Sequence, residues 1–293
     1  IYSKDINLYY VFKALINLKF NFFKFNLLKK KYFIEKIKSL SPKIAIGHDL
    51  DKKIFLLKRY FPNIITIVYQ FGYNFEGQVD KEIYKKIVQK NKVDYYCVFD
   101  ERHKKILENY IKTKFIITGS IKNNEVPIKK NKIIYDILYI SQYRKHHKIN
   151  LDLESKSDFT IKILSKFCKK MGLKLCVALT TTRKDKNPDS NLKLINNEIS
   201  YYKKRVGKFY YDTSMTSYDL ASKSNLVVNI NSNLGYELLA KMKKVIFFDI
   251  SKYFKWHFKK SRHFICIEQQ DNERVIFKKI KKMLGLNNKK WLH

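Results

Sequence analysis

The chain has 293 residues, 45% of them hydrophobic, which is enough for one large domain or two domains of about 150 residues each. It has no heptad pattern, collagen repeat or Pro/Ser-rich tract, which excludes the fibrous and disordered classes. The net charge is +35, yet only seven of the 61 basic residues are arginine, and the lysines are spread along the whole chain. Proteins that bind nucleic acid specifically more often use arginine for bidentate contacts. We therefore expect mostly solvated lysine and no specific nucleic-acid partner.

The N-terminal stretch at residues 9–33 interleaves aromatic residues with lysines. One interpretation is a pair of packed helices whose lysines face water. The other is a basic, aromatic patch on an anionic membrane surface, where each nearby lysine contributes about 1 kcal/mol. No apolar run reaches the roughly 18 residues of a membrane span, and no signal peptide is visible. The expected location is cytoplasmic, or peripheral on the inner face of the cell membrane.

Short β-rich runs alternate with longer helix-like runs in the rest of the chain, which indicates an α/β fold with parallel sheets. The predicted strands are 43–47, 64–71, 94–99, 114–118, 133–141, 173–180, 226–230, 244–249 and 263–267. Their continuous apolar character favours strands buried on both faces. The predicted helices are 51–60, 78–90, 101–112, 156–171, 196–205, 233–242 and 272–284.

A polar, aperiodic stretch at residues 120–132, which contains Pro127, separates two sets of strands. It divides the chain into an α/β domain at residues 1–130 and a second at residues 131–293. The chain begins at Ile1 rather than Met, which is consistent with a first domain that is truncated at its start. Two such domains that face each other leave a cleft, and open parallel sheets bind ligands beyond the carboxyl ends of their strands.

The cysteines are Cys97, Cys168, Cys176 and Cys266, which form no CxxC pair. Most of them lie in apolar runs. We therefore expect reduced core residues in a cytosolic protein.

Four of the eight glycines lie at predicted strand-to-helix junctions: Gly47, Gly72, Gly119 and Gly235. Glycine at such a junction lets the backbone turn sharply or come close to a ligand. We therefore expect these glycines to lie at the ligand edge of the sheets.

The run "LVVNINSNLGYELLAKM" around Gly235 has the pattern of a strand, a polar turn and a helix. Asn231, Ser232 and Asn233 are all good N-caps, and a helix that starts there presents N–H groups that suit an anion. Glu237 is not three residues after either Ser232 or Asn233, so it does not complete a capping box. It either accepts hydrogen bonds from sugar hydroxyls or is an ordinary carboxylate favoured by the helix dipole.

The segment "SNLGYELLAKMKKVIFF" (232–248) resembles the nucleotide-binding segment of GT-B glycosyltransferases, and more closely that of the surface-carbohydrate or O-antigen biosynthesis proteins. Other segments resemble this family in the same order: "SPKIAIGHDLDKKIFLLKRYFPNI" (41–64), "IVYQFGYN" (67–74), "FIITGSIKNNE" (115–125) and "ILYISQYR" (137–144). The resemblance covers roughly residues 40–250. One departure is Met242, which stands where the family usually has glycine before Lys-Lys.

The resemblance implies two Rossmann-like parallel-sheet domains facing a cleft, with the acceptor on the first domain and a nucleotide-sugar on the second. It implies a metal-independent glycosyltransferase of bacterial surface polysaccharide (O-antigen or capsule) biosynthesis. The implied partners are a nucleotide-sugar donor, a glycan or lipid-linked acceptor and an anionic membrane surface, with no cofactor beyond the nucleotide-sugar co-substrate. Close alternatives are a sugar-nucleotide epimerase or a polyol-phosphate transferase on the same scaffold. A further alternative is a non-catalytic basic protein that binds membrane or nucleic acid.

The expected nucleotide site combines phosphate and sugar contacts. The phosphates are expected to bind the N–H groups of Asn233, Leu234 and Gly235 together with the Ser232 hydroxyl. Glu237 is expected to accept hydrogen bonds from ribose or donor-sugar hydroxyls. Arg144 follows a predicted strand directly, with Ser141 and Gln142 beside it. It either neutralises the leaving diphosphate in place of a metal or forms a surface ion pair. The stretch 212–220, which contains Ser217, either adds hydroxyls near the nucleotide or caps a helix.

The general base is expected to be Asp49 or His48, just after the strand at 43–47, because a base is a histidine or carboxylate within reach of the acceptor. The alternative is that Asp49 caps the following helix. The residues expected near donor or acceptor at the domain junction are Gln70, Gly72, Gly119, Ser120 and Asn123.

Three other kinds of site fit the sequence less well. Asp49-Leu50-Asp51 is a D-x-D, which holds a metal-bound nucleotide in GT-A enzymes, but the second α/β half argues against that fold. His146-His147 has no cysteine or carboxylate cluster to complete a metal site, so none is expected. The dinucleotide G-x-G-x-x-G and the P-loop are absent.

Overall fold

The computed structural model describes residues 7–17, 25–49, 51–72, 92–125, 131–143, 151–180, 188–250 and 265–286. The chain divides into two compact units. The first comprises Ile1–Phe71 with Asp80–Ile121, and the second comprises Gly72–Val79 with Lys122–His293. The domain boundary expected between residues 130 and 131 stays a prediction.

The first unit contains one four-stranded parallel sheet in the order β1-β2-β3-β4. Its strands are β1 Ile44–His48, β2 Ile65–Tyr69, β3 Tyr95–Val98 and β4 Lys114–Ile117. Its helices are α1 Leu8–Asn17, α2 Phe25–Leu40, α3 Lys52–Tyr60 and α4 Glu101–Glu108. The four strands predicted for this part of the chain are confirmed. The predicted helix at 78–90 lies outside the described residues.

One face of the first sheet forms the core of its unit. Val68, Tyr96 and Val98 from this face pack with residues of α3 and α4, including Phe55 and Leu107. The prediction that every strand is buried on both faces is wrong for β1, β2 and β4. Ile46 of β1 is 67% exposed, Ile65 of β2 is 43% exposed and Ile117 of β4 is 51% exposed.

The two N-terminal helices pack against each other. Tyr10 of α1 contacts the ring of Tyr32 of α2 at a centroid distance of 6.1 Å and accepts a hydrogen bond from Ser39. Asn17 donates a hydrogen bond to Glu35. The packing of the two helices is therefore confirmed for residues 8–17 and 25–40, whereas the membrane-surface interpretation stays a prediction. None of the helices in the described part of the chain is long and apolar enough to cross a membrane.

The second unit contains a five-stranded parallel sheet in the order β6-β5-β7-β8-β9. Its strands are β5 Tyr135–Ile140, β6 Leu175–Ala178, β7 Ser224–Asn229, β8 Val245–Asp249 and β9 Cys266–Glu268. The remaining helices are α5 Ile121–Glu125, α6 Leu151–Met171, α7 Pro188–Val206, α8 Ser217–Ser222, α9 Asn233–Ala240 and α10 Glu273–Gly285. All five predicted strands are confirmed, and β6 and β8 are buried almost throughout.

All four cysteines are buried, and none is in a disulfide. Burial raises the pKa of the Cys168, Cys176 and Cys266 thiols to about 12, so these groups are neutral at physiological pH. The prediction that the cysteines are core residues is confirmed.

Candidate functional site

The candidate nucleotide site lies at the carboxyl edge of the second sheet. Because the five strands are parallel, the turns that follow β5, β6 and β7 lie at the same edge. Open parallel sheets bind ligands at such edges. The structure places Ser141 and Gln142 after β5, and Ser232 after β7.

The turn between β7 and α9 is built around the side chain of Asn229. Its Oδ1 accepts a hydrogen bond from the Ser232 N–H at 3.0 Å, and its Nδ2 donates to the Ser232 carbonyl at 3.1 Å. Ser232 is the N-cap of α9, and its Oγ accepts from the Leu234 N–H at 3.3 Å. The cap predicted at this turn is confirmed, with Ser232 rather than Asn231 or Asn233 in that position.

Two of the three N–H groups expected to hold phosphates donate within this turn. Leu234 donates to the Ser232 hydroxyl, and Gly235 donates to the Ser232 carbonyl at 3.1 Å. A phosphate bound to these groups would have to replace those bonds. Asn233 is the first residue of α9, and its role as a phosphate ligand stays a prediction.

Packing requires glycine at position 235, for a reason that the sequence did not reveal. A Cβ atom there would lie 2.4 Å from Cγ and from Nδ2 of Asn229, and 2.6 Å from its Cβ. Contacts below 3.0 Å are essentially never seen for real Cβ atoms. The close approach that requires glycine is therefore made by the Asn229 side chain. The expected approach of a ligand to Gly235 stays a prediction.

Glu237 is a buried carboxylate at the start of α9, with 5% of its surface exposed. Its Oε2 accepts a hydrogen bond from the hydroxyl of Tyr218 on α8. Its backbone carbonyl accepts from Nδ2 of Asn123 at 3.2 Å. The structure thus brings together Glu237 and Asn123, which were predicted separately, and adds Tyr218.

The pKa shifts of Tyr218 and Lys241 follow from their burial and from the neighbouring Glu237 carboxylate. Burial, and next the hydrogen bond to Glu237, raise the pKa of the Tyr218 hydroxyl, so it stays protonated and donates. The Lys241 ammonium lies 5.7 Å from the centroid of the Tyr218 ring. Burial lowers the pKa of Lys241 and outweighs the opposite effect of Glu237.

The helix α8 presents Tyr218 to Glu237. Thr216 is its N-cap and forms a capping box with Asp219, in which each side chain bonds the backbone of the other. This arrangement stabilises a helix of only six residues. The helix-cap interpretation of 212–220 is therefore confirmed. Ser217, the first helical residue, has no tested role, and its place in the donor site stays a prediction.

Ser141 belongs to a buried network at the ends of β5 and β6. Its hydroxyl donates to Glu198 and lies 2.7 Å from the Tyr202 hydroxyl. Glu198, fully buried on α7, also accepts hydrogen bonds from the N–H and hydroxyl of Thr180. The Ser141 oxygen accepts from the Tyr143 N–H at 3.1 Å. Ser141 therefore holds the turn that leads towards residue 144.

Arg144, His146 and His147 lie outside the described residues, so the assignment of Arg144 to the leaving diphosphate stays a prediction. Gln142 is buried beside Ser141.

The base candidates of the first unit lie at the carboxyl end of β1. Asp49 is 9% exposed, and its Oδ1 accepts a hydrogen bond from the Phe71 N–H at 3.2 Å. Asp51, not Asp49, is the N-cap of α3, so the capping alternative for Asp49 is wrong. The ring of His48 lies 5.3 Å from that of Phe71, and its buried Nδ1 has no hydrogen-bond partner in the described structure.

The other residues expected at the domain junction have structural positions of their own. Gln70 is buried, and its Oε1 accepts from the Phe99 N–H at 2.9 Å, which joins the ends of β2 and β3. Gly72 lies in a bend after β2. Gly119 has a φ of +68°, a left-handed conformation that favours glycine, and Ser120 follows it. Their contacts with donor or acceptor stay predictions.

Among the residues that the structure describes, no group of three or more His, Cys, Asp or Glu side chains is placed to hold a metal ion. The metal-independent reaction stays a prediction.

Sequence reasoning missed three side chains that build the carboxyl edge: Tyr218, Asn229 and Glu198. Asn229 carried a signal, because it is a polar residue in an otherwise apolar strand run. Thr216 and Asp219 also carried one, in their capping-box spacing. Glu198 and Tyr218 carried none, since their partners are 57 and 19 positions away in the chain.

The chain matches the model of one protein family in sequence and resembles solved structures in fold. The model of a family described as "putative O-antigen biosynthesis protein" matches residues 75–273, which is more than half of the chain. No curated protein matches the sequence.

Solved structures resemble the chain at low sequence identity. The UDP-GlcNAc 2-epimerase from Methanocaldococcus jannaschii is 14% identical, with a TM-score of 0.50 over 90% of this chain and 77% of that one. A structure titled "putative UDP-N-acetylglucosamine 2-epimerase" from Listeria monocytogenes is 11% identical, with a TM-score of 0.51 over 90% and 74%. MurG from Acinetobacter baumannii is 10% identical, with a TM-score of 0.42 over 89% and 72%.

The two parallel sheets, flanked by helices, are those of an α/β fold of the GT-B type, as the expected fold class required. At these identities the likeness shows the fold alone. The sequence match carries the family assignment: the chain belongs to the family described as "putative O-antigen biosynthesis protein" whose model it matches.

Proposed function

We propose that this protein is a GT-B-type glycosyltransferase of bacterial surface polysaccharide (O-antigen or capsule) biosynthesis. It transfers a sugar from a nucleotide donor to a glycan or lipid-linked acceptor without a metal ion. The acceptor oxygen forms the new bond to the sugar as the bond to the nucleotide diphosphate breaks. The acceptor proton passes to a base of the first unit.

The observation that carries this proposal is the pair formed by Glu237 and Tyr218 at the carboxyl edge of the second sheet. Burying a carboxylate is costly unless it is hydrogen-bonded, and Tyr218 supplies such a bond. The bond also fixes the orientation of the carboxylate. A carboxylate accepts hydrogen bonds only, so it suits the hydroxyl groups of ribose or of a donor sugar.

The diphosphate of the donor carries negative charge that must be stabilised as it leaves. We assign this role to Arg144, which follows the turn held by Ser141 and Glu198. Ser232 and the first N–H groups of α9 supply further donors once the ligand replaces their bonds within the turn.

For the general base we propose Asp49 or His48, which are adjacent at the carboxyl end of β1. Asp49 accepts one bond from the Phe71 N–H, which leaves further lone pairs of its carboxylate, and the Nδ1 of His48 is buried without a hydrogen-bond partner in the described structure. A base needs an available lone pair within reach of the proton that it removes.

We place the protein on the inner face of the membrane. On α1, Leu8, Phe12 and Ile16 recur every four residues and are all more than half exposed, so they share one side of the helix. An exposed apolar stripe on a strongly basic protein suits an anionic membrane surface.

Nucleotide binding to the second unit is the first test. A nucleotide at about 100 times its Kd stabilises a protein by about 2.7 kcal/mol, which is about 5–10 °C in Tm for a unit of this size. We expect one of UDP, GDP, CDP or CMP to raise Tm by that amount. Glu237→Gln removes the charged acceptor and is expected to abolish most of the shift, and Tyr218→Phe part of it.

The matched control is Glu273→Gln, which removes an equal charge from an exposed ion pair with Lys166 and should leave the shift unchanged. No response to any of the four nucleotides would overturn the proposal. Salt-dependent affinity for DNA or RNA, unaffected by Glu237→Gln, would favour the basic binding protein instead. Sugar-nucleotide turnover without an acceptor would indicate an epimerase, and transfer of a polyol phosphate would indicate that transferase.

A further inference from the structure

A cavity of about 440 Å³ lies between α2 and α3 in the first unit. Its apolar lining includes Phe33 and Ile34 from α2, and Leu56 and Leu57 from α3. Ile34 and Leu57 are buried. The volume falls within the range of about 300–1,000 Å³ that is typical of small-molecule sites. We call this cavity the α2–α3 pocket.

Three lysines line the same pocket: Lys29, Lys30 and Lys53. All three are exposed, and no Asp or Glu is among the described residues that line the pocket. The Lys30 ammonium lies 5.2 Å from the centroid of the Tyr60 ring. The Lys53 ammonium lies 5.6 Å from that of Phe33. Aromatic rings attract cations at such distances, so two ammonium groups are held at the pocket.

The spacing of residues along both helices explains this combination. On α3, Lys53, Leu56, Leu57 and Tyr60 follow the i, i+3, i+4, i+7 pattern of one helix face. On α2, residues 29 and 30 are one turn from residues 33 and 34, so they also share a face. Each helix therefore places lysine one turn from apolar residues, and both faces line the same pocket.

We propose that the α2–α3 pocket binds an amphipathic phosphate, meaning a phosphate ester that carries a hydrocarbon chain. The chain lies on the apolar lining, and the lysines bind the phosphate. Inorganic phosphate would leave the apolar lining unused, and a neutral lipid would leave the lysines unused. The identification of this ligand as the lipid part of a glycan acceptor rests on the proposed function, whereas binding itself does not.

Calorimetric titration of the full chain without nucleotide tests the proposal. The probes are alkyl phosphates of 8, 10 and 12 carbons below their critical micelle concentrations. We expect one molecule per chain, with an affinity that rises about fourfold for each added methylene while the pocket has room. Inorganic phosphate and neutral dodecyl maltoside should each bind at least about 20-fold more weakly than dodecyl phosphate.

Two variants separate the pocket from the general positive charge. The double variant Lys30→Gln/Lys53→Gln should weaken dodecyl phosphate binding about 25-fold, because each lysine near an anionic group contributes about fivefold. The control Lys169→Gln/Lys170→Gln removes the same charge from exposed positions at the end of α6 and should change affinity less than twofold. Leu56→Trp fills the pocket and should abolish the dependence on chain length, with folding checked by circular dichroism.

Equal losses in the two lysine variants would overturn the proposal, because binding would then follow net charge alone. Equal affinity for inorganic phosphate, or for dodecyl maltoside, would also overturn it. The nucleotide-induced Tm shift is measured on the same proteins. A normal nucleotide-induced Tm shift without alkyl phosphate binding would refute the α2–α3 pocket proposal but not the proposed transferase function. Alkyl phosphate binding without any nucleotide-induced shift would refute only the transferase function.

Discussion

Packing requires glycine at position 235, although the sequence pattern around it suggests contact with a ligand. Its neighbour across the turn is Asn229, whose amide bonds both the N–H and the carbonyl of Ser232. This side chain holds the turn in shape, and it occupies the space that a Cβ of residue 235 would need. The turn and the glycine therefore depend on each other.

The change Gly235→Ala is expected to destabilise the second unit. Forcing a methyl group against Asn229 costs about 1–3 kcal/mol, which exceeds the roughly 1 kcal/mol that alanine gains over glycine in a helix. We expect a lower midpoint of urea unfolding, followed by circular dichroism. Gly285→Ala, at the end of α10 where no atom lies within 4 Å of the added Cβ, should be neutral or slightly stabilising. Equal effects of the two changes would contradict the packing argument.

The backbone conformation of Met242 gives a physical reason why glycine would suit this position. Its φ is +61°, a left-handed conformation that costs a residue with a side chain about 1–2 kcal/mol. This is the position at which the family usually has glycine before Lys-Lys. The side chain is 62% exposed, so nothing in the packing requires methionine there. A glycine at this position would adopt this conformation without that cost, and Met242 lies outside the turn between β7 and α9.

At the scale of elements, local patterns predicted all nine described strands, because each is a short run of apolar residues between polar segments. Helix ends were predicted less well. The helix α7 begins at Pro188, eight residues before its predicted start, since its first turn, Pro-Asp-Ser-Asn, is polar. The exposed face of the first sheet was not predicted. Which face of a sheet the neighbouring helices cover depends on the fold and not on a strand's own sequence, and the edge strand β6 of the second sheet is buried throughout.

The candidate site was predicted where it depends on residues close in sequence. Ser232, Gly235 and Glu237 form one turn and the start of one helix, so their spacing carried information. The network of Glu198 with Ser141 and Thr180 joins three separate elements. No local pattern specifies such contacts, and only the fold brings these residues together.

The capping box of α8 is expected to matter for ligand binding as well as for stability. Thr216→Ala removes the cap at a typical cost of about 1 kcal/mol. A helix of six residues depends strongly on its cap, so the change should also loosen Tyr218 and reduce the nucleotide-induced Tm shift. The loss of stability and the nucleotide-induced Tm shift are both measured in the same thermal-shift experiment.

The matched variant is Asn272→Ala at the N-cap of α10, where the side chain accepts a hydrogen bond from the Val275 N–H. It should cost similar stability but leave the nucleotide shift intact. A loss of the shift in both variants would mean that general stability, rather than the position of Tyr218, controls binding.

At the scale of the whole molecule, the chain forms two compact units, and its cysteines are divided between them. Cys97 lies in β3 of the first unit, whereas Cys168, Cys176 and Cys266 lie in the second. A thiol reacts as the thiolate. Because burial raises the pKa of the three thiols in the second unit to about 12, they should react at pH 8 only when that unit opens.

The cysteines therefore report which unit binds the nucleotide. A ligand at about 100 times its Kd lowers the unfolded fraction of the unit that holds it about 100-fold. With a saturating nucleotide, alkylation at pH 8 in moderate urea should slow to that extent at Cys168, Cys176 and Cys266. At Cys97 it should change less than twofold, with each site followed by peptide mass spectrometry. Protection of Cys97 alone would place the nucleotide on the first unit and overturn the assignment to Glu237. Equal protection of all four would mean that the two units open together, so that the nucleotide stabilises the molecule as one cooperative body.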